Sequence, residues 1–236
     1  MPTLIFDLDG TLIDSRADLT CAVNLTRADF GLAPLALAAV TSLVGDGIYN
    51  LMNRALSDLA RPWDLEEAVA AMQRHYRDHM LDQTCLYPGV ETTLRVLKDD
   101  WRLAVVTNKP EAEARKLCAA TGLGELLDVI VGGGRCPHLK PRPEPLLLAV
   151  ELAGSTVDGS WMIGDHRTDL GAARAAGLRA CFCAYGFGIQ DDQRADAVIQ
   201  SFPDLLNVLR PGPRAVPAKQ GQETAPAAGR AAAAGR

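Results

Sequence analysis

The chain has 236 residues, of which 48% are hydrophobic and 22% charged, with a net charge of −5. That is enough for one core and a smaller subdomain, and the charged fraction is that of an ordinary globular protein. The stretch from Pro211 on holds four Lys/Arg and one Glu, which leaves −8 on residues 1–210, an acidic body that argues against a nucleic-acid partner. No run approaches the ~18 uninterrupted apolar residues of a membrane span, and no basic region precedes the short apolar N-terminus. No membrane partner and a cytoplasmic location are therefore expected. The six cysteines are scattered without a C-x-x-C pair, so buried thiols are favoured over a zinc site.

In chain order, the apolar run after Pro2 predicts a buried strand over residues 3–7. Ser15, with Asp18 three residues on, predicts a helix N-cap with an acidic capping partner, and Gly31 stops that helix. A short helix is expected over 35–43 and a loop at Gly45-Asp46-Gly47. Ile48, Leu51, Met52, Ala55 and Leu56 form one stripe of a helix over 48–59, and Asp64 caps another over 65–81. Residues 15–84 thus read as an all-helical insert.

After Tyr87-Pro88-Gly89 the pattern changes to helices alternating with apolar strands. Strands are expected at 103–107, 128–131, 161–163, 180–184 and 197–199. Helices are expected at 90–98, 110–121, 146–153, 168–176 and 203–209. This alternation predicts an α/β fold with a doubly wound parallel sheet, built from residues 1–14 and 85–210. Ligands of such sheets sit beyond the carboxyl ends of the strands. Residues 211–236 are rich in Ala, Pro, Gly and Arg, and are expected to be disordered.

The polar residues cluster at those strand ends. Asp7 and Asp9 are two apart, so on an extended chain they face one spot, and Gly10 then permits a sharp turn. Paired carboxylates repel unless a cation or a shared proton relieves them. Thr107 follows a strand, where its hydroxyl suits a phosphate oxygen or caps the next helix. Lys140 lies in a loop stiffened by prolines, where a solvated lysine is the ordinary reading. Asp165 and Asp169 sit at a strand end and in a first helical turn. They either approach one cation or favour the helix terminus. With Asp7 they make a hard oxygen set suited to Mg²⁺.

The stretch DLDGTLIDS from Asp7, the later Thr107, Lys140 and the Gly164-Asp165…Asp169 pattern resemble, in order, the motifs of the haloacid dehalogenase-like hydrolase superfamily. The insert is similar to the C1-type helical cap of that family. VVTNKP, VIVGGG and KPRPEPLLLA are similar to phosphoglycolate phosphatases. The resemblance implies a Mg²⁺-dependent phosphatase acting on a small phosphorylated metabolite, 2-phosphoglycolate first, as a monomer or homodimer. It implies Asp7 as nucleophile, forming an aspartyl phosphate, and Asp9 as acid/base. Metal would be held by Asp7, Asp165 and the Asp9 carbonyl, with Asp169 behind them. Thr107 and Lys140 would clamp the phosphoryl group, with Thr11 and Asn108 on the substrate side. Gly47 and Arg54 in the cap are candidates for binding a substrate carboxylate, although an ordinary loop and a solvated arginine explain them equally well. His166 stands where many members have Ser, and reads as a partly exposed bystander. A sugar-phosphate phosphatase or a phosphomutase shares the core. Thr11 leans against the mutase, and the intact Asp7, Asp9 and Lys140 lean against a non-enzymatic binding protein.

Overall fold

The computed structural model describes residues 1–209. The expected disordered tail lies outside them. The strands in chain order are β1 (Thr3–Phe6), β2 (Ile13–Asp14), β3 (Cys85–Leu86), β4 (Arg102–Pro110), β5 (Val129–Gly133), β6 (Trp161–Gly164), β7 (Arg179–Cys183) and β8 (Ala197–Ile199). The helices are α1 (Arg16–Asp29), α2 (Leu37–Thr41), α3 (Ile48–Ala55), α4 (Leu65–His79), α5 (Val90–Leu97), α6 (Glu111–Ala120), α7 (Glu144–Leu152), α8 (Arg167–Ala176) and α9 (Leu205–Leu209). Six strands make one sheet in the order β5-β4-β1-β6-β7-β8, and all its pairs are parallel.

The apolar runs are strands buried on both faces. Leu4, Phe6, Leu103, Val105, Trp161 and Ile163 pack in one cluster with α5 and α6. Ile5, Ala104, Val106 and Met162 pack in another with α7 and α8. Cys181 and Cys183 lie on the first face, fully buried with free thiols. The central β1 has β4 on one side and β6 on the other. The crossover direction reverses there, which opens a crevice at the carboxyl ends of these three strands.

The helices α1 to α4 fill the stretch between β2 and β3. Arg27, almost fully buried on α1, pairs with Asp58 at 2.7 Å and also donates to the carbonyls of Ala33 and Ala55. The bond to Ala55 satisfies a terminal carbonyl of α3, and that helix stops at Ala55 rather than running to residue 59. The helix expected over 35–43 is likewise shorter, Leu37–Thr41, and a 3-10 turn at Phe202–Asp204 precedes α9.

The chain leaves and re-enters the sheet layer through a two-stranded antiparallel ribbon that the sequence did not predict, with Ile13 opposite Leu86 and Asp14 opposite Cys85. Asp18 explains how the ribbon is held. The expected Ser15–Asp18 capping pair does not form. The buried Asp18 carboxylate accepts from the Gln83 and Thr84 N–H groups at 3.0 and 2.8 Å, and from the Thr84 hydroxyl at 2.7 Å. Ser15 donates instead to Asp9, at 2.5 Å.

Candidate active site

Asp7 follows β1 directly, and its N–H donates to the Ile163 carbonyl at 2.9 Å, which keeps it in the sheet frame. Its side chain faces the crevice, and the residue is 8% exposed. Gly10 turns the chain with φ +81°. A Cβ there would lie 2.0 Å from an Asp165 carboxylate oxygen, so only glycine lets the loop close on that carboxylate. The Phe187 and Gly188 N–H groups donate to Asp165 Oδ2 at 3.0 and 2.7 Å, and the Thr11 hydroxyl donates to Oδ1 at 3.2 Å.

β4 runs to Pro110, further than expected. Its pairing with β5 is regular to Val106 and resumes at Pro110 opposite Gly133. Thr107, Asn108 and Lys109 form the irregularity between, which turns side chains toward the crevice as bulges beside active sites do. Because the strand continues, Thr107 is not a helix cap. The Asn108 amide donates to the carbonyls of Gly45 and Lys140, both at 2.9 Å, and accepts the Lys140 N–H at 2.8 Å. Asn108 lines the cleft, but its amide ties three backbone groups together rather than standing free for a substrate.

Lys140 is not a solvated loop lysine; it is 3% exposed. Its Nζ donates to the Val106 carbonyl at 2.6 Å and lies 2.9 Å from Asp7 and 2.7 Å from Asp169. Burial disfavours its charge, yet Asp169 and Asp7 outweigh that and hold its pKa above the ordinary value. His166 is also buried, against the expectation of exposure. It caps α8, and its N–H donates to Asp169 Oδ2 at 2.9 Å. Burial, with Arg167 beside it, lowers its pKa.

Carboxylate oxygens of Asp7, Asp165 and Asp169 lie within 4.8 Å of one another. Burial raises Asp7 from 3.8 to about 6 despite Lys140. Burial, with Asp169 and Asp7 adding to it, pushes Asp165 well above its ordinary value. The buried Oδ1 atoms of Asp7 and Asp169 receive no aligned hydrogen bond. Hard oxygens with unfilled lone pairs and a site short of positive charge fit a divalent cation such as Mg²⁺. The Asp9 carboxylate faces elsewhere. Both its oxygens accept from Lys109 Nζ at 2.8 Å, and Lys109 also donates to the Tyr76 hydroxyl at 2.9 Å.

The crevice continues as a cleft open to solvent, lined by the strand ends on one side and by residues of α1, α3 and α4 on the other. Gly47 lines it, and so do Asp7, Asp9, Thr107 and Asp165. Two residues expected on the substrate side lie off this wall. Thr11 is fully buried beneath Asp165 and is absent from the wall. Arg54 is also off the wall, because Asp46 holds its guanidinium at 2.6 Å. Asp46 also takes Arg167 at 2.9 Å. Lys109 and Tyr76 were missed. Lys109 adjoins the Thr107 motif, but nothing in the residue order says that a bulge turns it inward. Tyr76 lies four residues after Met72 on a core-like stripe, which marks it only as buried.

The comparisons with known proteins agree with this geometry. Residues 4–183 match the family model described as haloacid dehalogenase-like hydrolase. A phosphoglycolate phosphatase of Cupriavidus necator is 39% identical over 214 residues, covering 88% of this chain and 93% of that protein. One from Neisseria meningitidis is 40% identical over 217 residues, covering 87% and 92%. A crystal structure described as a predicted phosphoglycolate phosphatase, from Haemophilus somnus, superimposes with a TM-score of 0.83 at 27% identity, covering 88% of this chain and 97% of that one. With its motifs gathered at one crevice and the model matching most of its length, the chain belongs to the haloacid dehalogenase-like hydrolases.

Proposed function

We propose that the protein is a Mg²⁺-dependent phosphatase that hydrolyses 2-phosphoglycolate through an aspartyl-phosphate intermediate. The observation that carries this reading is the buried Asp7 carboxylate, 2.9 Å from Lys140 and clustered with Asp165 and Asp169. The names of the relatives supply the substrate.

Asp7 attacks phosphorus, forming an Asp7–phosphorus bond as the bond to the leaving oxygen breaks. Asp9 gives that oxygen its proton, then takes one from the water that hydrolyses the intermediate. The Lys140 ammonium, held by Asp169 and the Val106 carbonyl, balances charge on Asp7 and on the phosphoryl oxygens. The Thr107 hydroxyl accepts from the Lys109 N–H at 3.2 Å, which leaves its own proton for a phosphoryl oxygen. Mg²⁺, held by the Asp7 and Asp165 carboxylates and the Asp9 carbonyl, supplies further neutralisation of phosphoryl charge when bound. In this reading residues 15–84 are a cap. Gly45 to Gly47 close over Asn108 and His166, and exclude bulk water. The test is phosphate release from 2-phosphoglycolate and a panel of sugar phosphates, with Mg²⁺ and with EDTA. Preference for 2-phosphoglycolate, lost with EDTA, is expected; equal or better turnover of sugar phosphates sinks the substrate assignment.

A further inference from the structure

The geometry points to Lys109 and Tyr76 as the subsite for the second anionic group of the substrate, the carboxylate carried on the leaving-group carbon. The inference rests on the phosphatase reading above and deepens it.

Charge on the cleft wall is the first ground. Asp7, Asp9, Glu113 and Asp165 line it, and Lys109 is the one Lys or Arg among the described lining residues. The rest of the cap side is mostly apolar, with Leu19, Ile48 and Leu51. An anion beyond the phosphoryl group therefore has a single favourable place, beside Lys109. Arg54, the cation that the sequence suggested, is paired with Asp46 off the wall.

Position is the second ground. In the proposed mechanism Asp9 touches the leaving oxygen. Lys109 Nζ is 2.8 Å from each Asp9 oxygen, so it stands one group further along the leaving group. In 2-phosphoglycolate the carboxylate is one carbon beyond that oxygen. The cation and the carboxylate thus fall at the same remove from Asp9.

The donors are the third ground. The three N–H bonds of Lys109 go to two Asp9 oxygens and the Tyr76 hydroxyl oxygen. Tyr76 accepts in that bond, and its own O–H has no acceptor among the described residues, although the residue is 96% buried and lines the cleft. Its ring also lies 4.6 Å from Nζ, which steadies the ammonium. An incoming carboxylate takes one Lys109 N–H from Asp9 and the free proton of Tyr76. One Asp9 oxygen is then released to face the leaving oxygen. Because Lys109 comes from β4 and Tyr76 from α4, the subsite is complete only with the helical segment seated on the sheet.

The test compares two substrates that differ only at this group, 2-phosphoglycolate and ethyl phosphate, in the full-length protein and in Lys109→Met and Tyr76→Phe. The wild type is expected to favour 2-phosphoglycolate in kcat/KM. Lys109→Met should lower that preference by ~10-fold or more, chiefly through KM for 2-phosphoglycolate. Tyr76→Phe, which keeps the ring, should lower it several-fold in the same direction and guards against a Lys109 variant that fails to fold. Equal losses on both substrates would overturn the subsite and leave Lys109 as a positioning residue for Asp9. A wild type that hydrolyses both substrates equally well would overturn it while leaving the phosphatase reading in place. A folded wild type that releases phosphate from neither would overturn both.

Discussion

At residue scale, burial sets the protonation of Asp7. Its carboxyl is raised from 3.8 to about 6 by burial, and Asp165 is raised for the same reason. A carboxyl whose folded pKa exceeds its unfolded value binds protons more tightly when folded. Its stabilising effect is therefore complete below pH ~4 and is lost as pH rises through about 6. Thermal unfolding of EDTA-treated protein should accordingly show stability falling over that window, and Asp7→Asn should flatten the fall. Mg²⁺ competes with the proton for the same oxygens, so it should raise Tm more at pH 7 than at pH 5. In the kinetic assay, the proposed nucleophilic role predicts that Asp7→Asn cuts phosphate release by ~10³-fold or more. Residual turnover near that of wild type would mean that another group attacks phosphorus.

At the scale of elements, loops and strand ends carry the site and the sheet supplies their spacing. The turn after β1 works because Gly10 brings backbone against Asp165. Gly10→Ala combines a φ of +81° with a Cβ placed on a carboxylate. It should destabilise by ~1–3 kcal/mol and weaken Mg²⁺ binding, read by chemical denaturation and by metal titration. The β2–β3 ribbon depends on Asp18 in a similar way. Asp18→Ala leaves the Gln83 and Thr84 N–H groups without their acceptor and should cost ~2–3 kcal/mol in urea unfolding. The surface pair of Arg167 and Asp46 is different. Arg167 is 36% exposed at its side chain, so Arg167→Ala should change stability by less than ~1 kcal/mol.

Across the whole molecule, the sheet order places β1 between β4 and β6, so three distant parts of the chain meet at one crevice. Every residue given a role above lies between Asp7 and Gly188. A protein cut after residue 210 should therefore keep kcat/KM for 2-phosphoglycolate within ~2-fold of the full chain, and a larger loss would give the tail a part in the reaction. Much of this was legible from residue order. Apolar runs and glycine stops identify strands and helices because local sterics and burial set them. The spacing of Asp7 and Asp9, and of Asp165 and Asp169, is local as well, and the motif resemblance identified Lys140. What residue order could not specify depends on groups far apart in the chain. Only packing made the irregularity at Thr107 to Lys109 within β4, drew Arg54 away to Asp46 and buried Thr11 under Asp165. The same packing put the Lys109 ammonium between Asp9, a hundred residues earlier, and Tyr76 on a separate helix. Local pattern determined the elements and the spacing of the paired carboxylates. Long-range contacts decided which cations line the cleft, because desolvation and charge pairing act through space rather than along the chain.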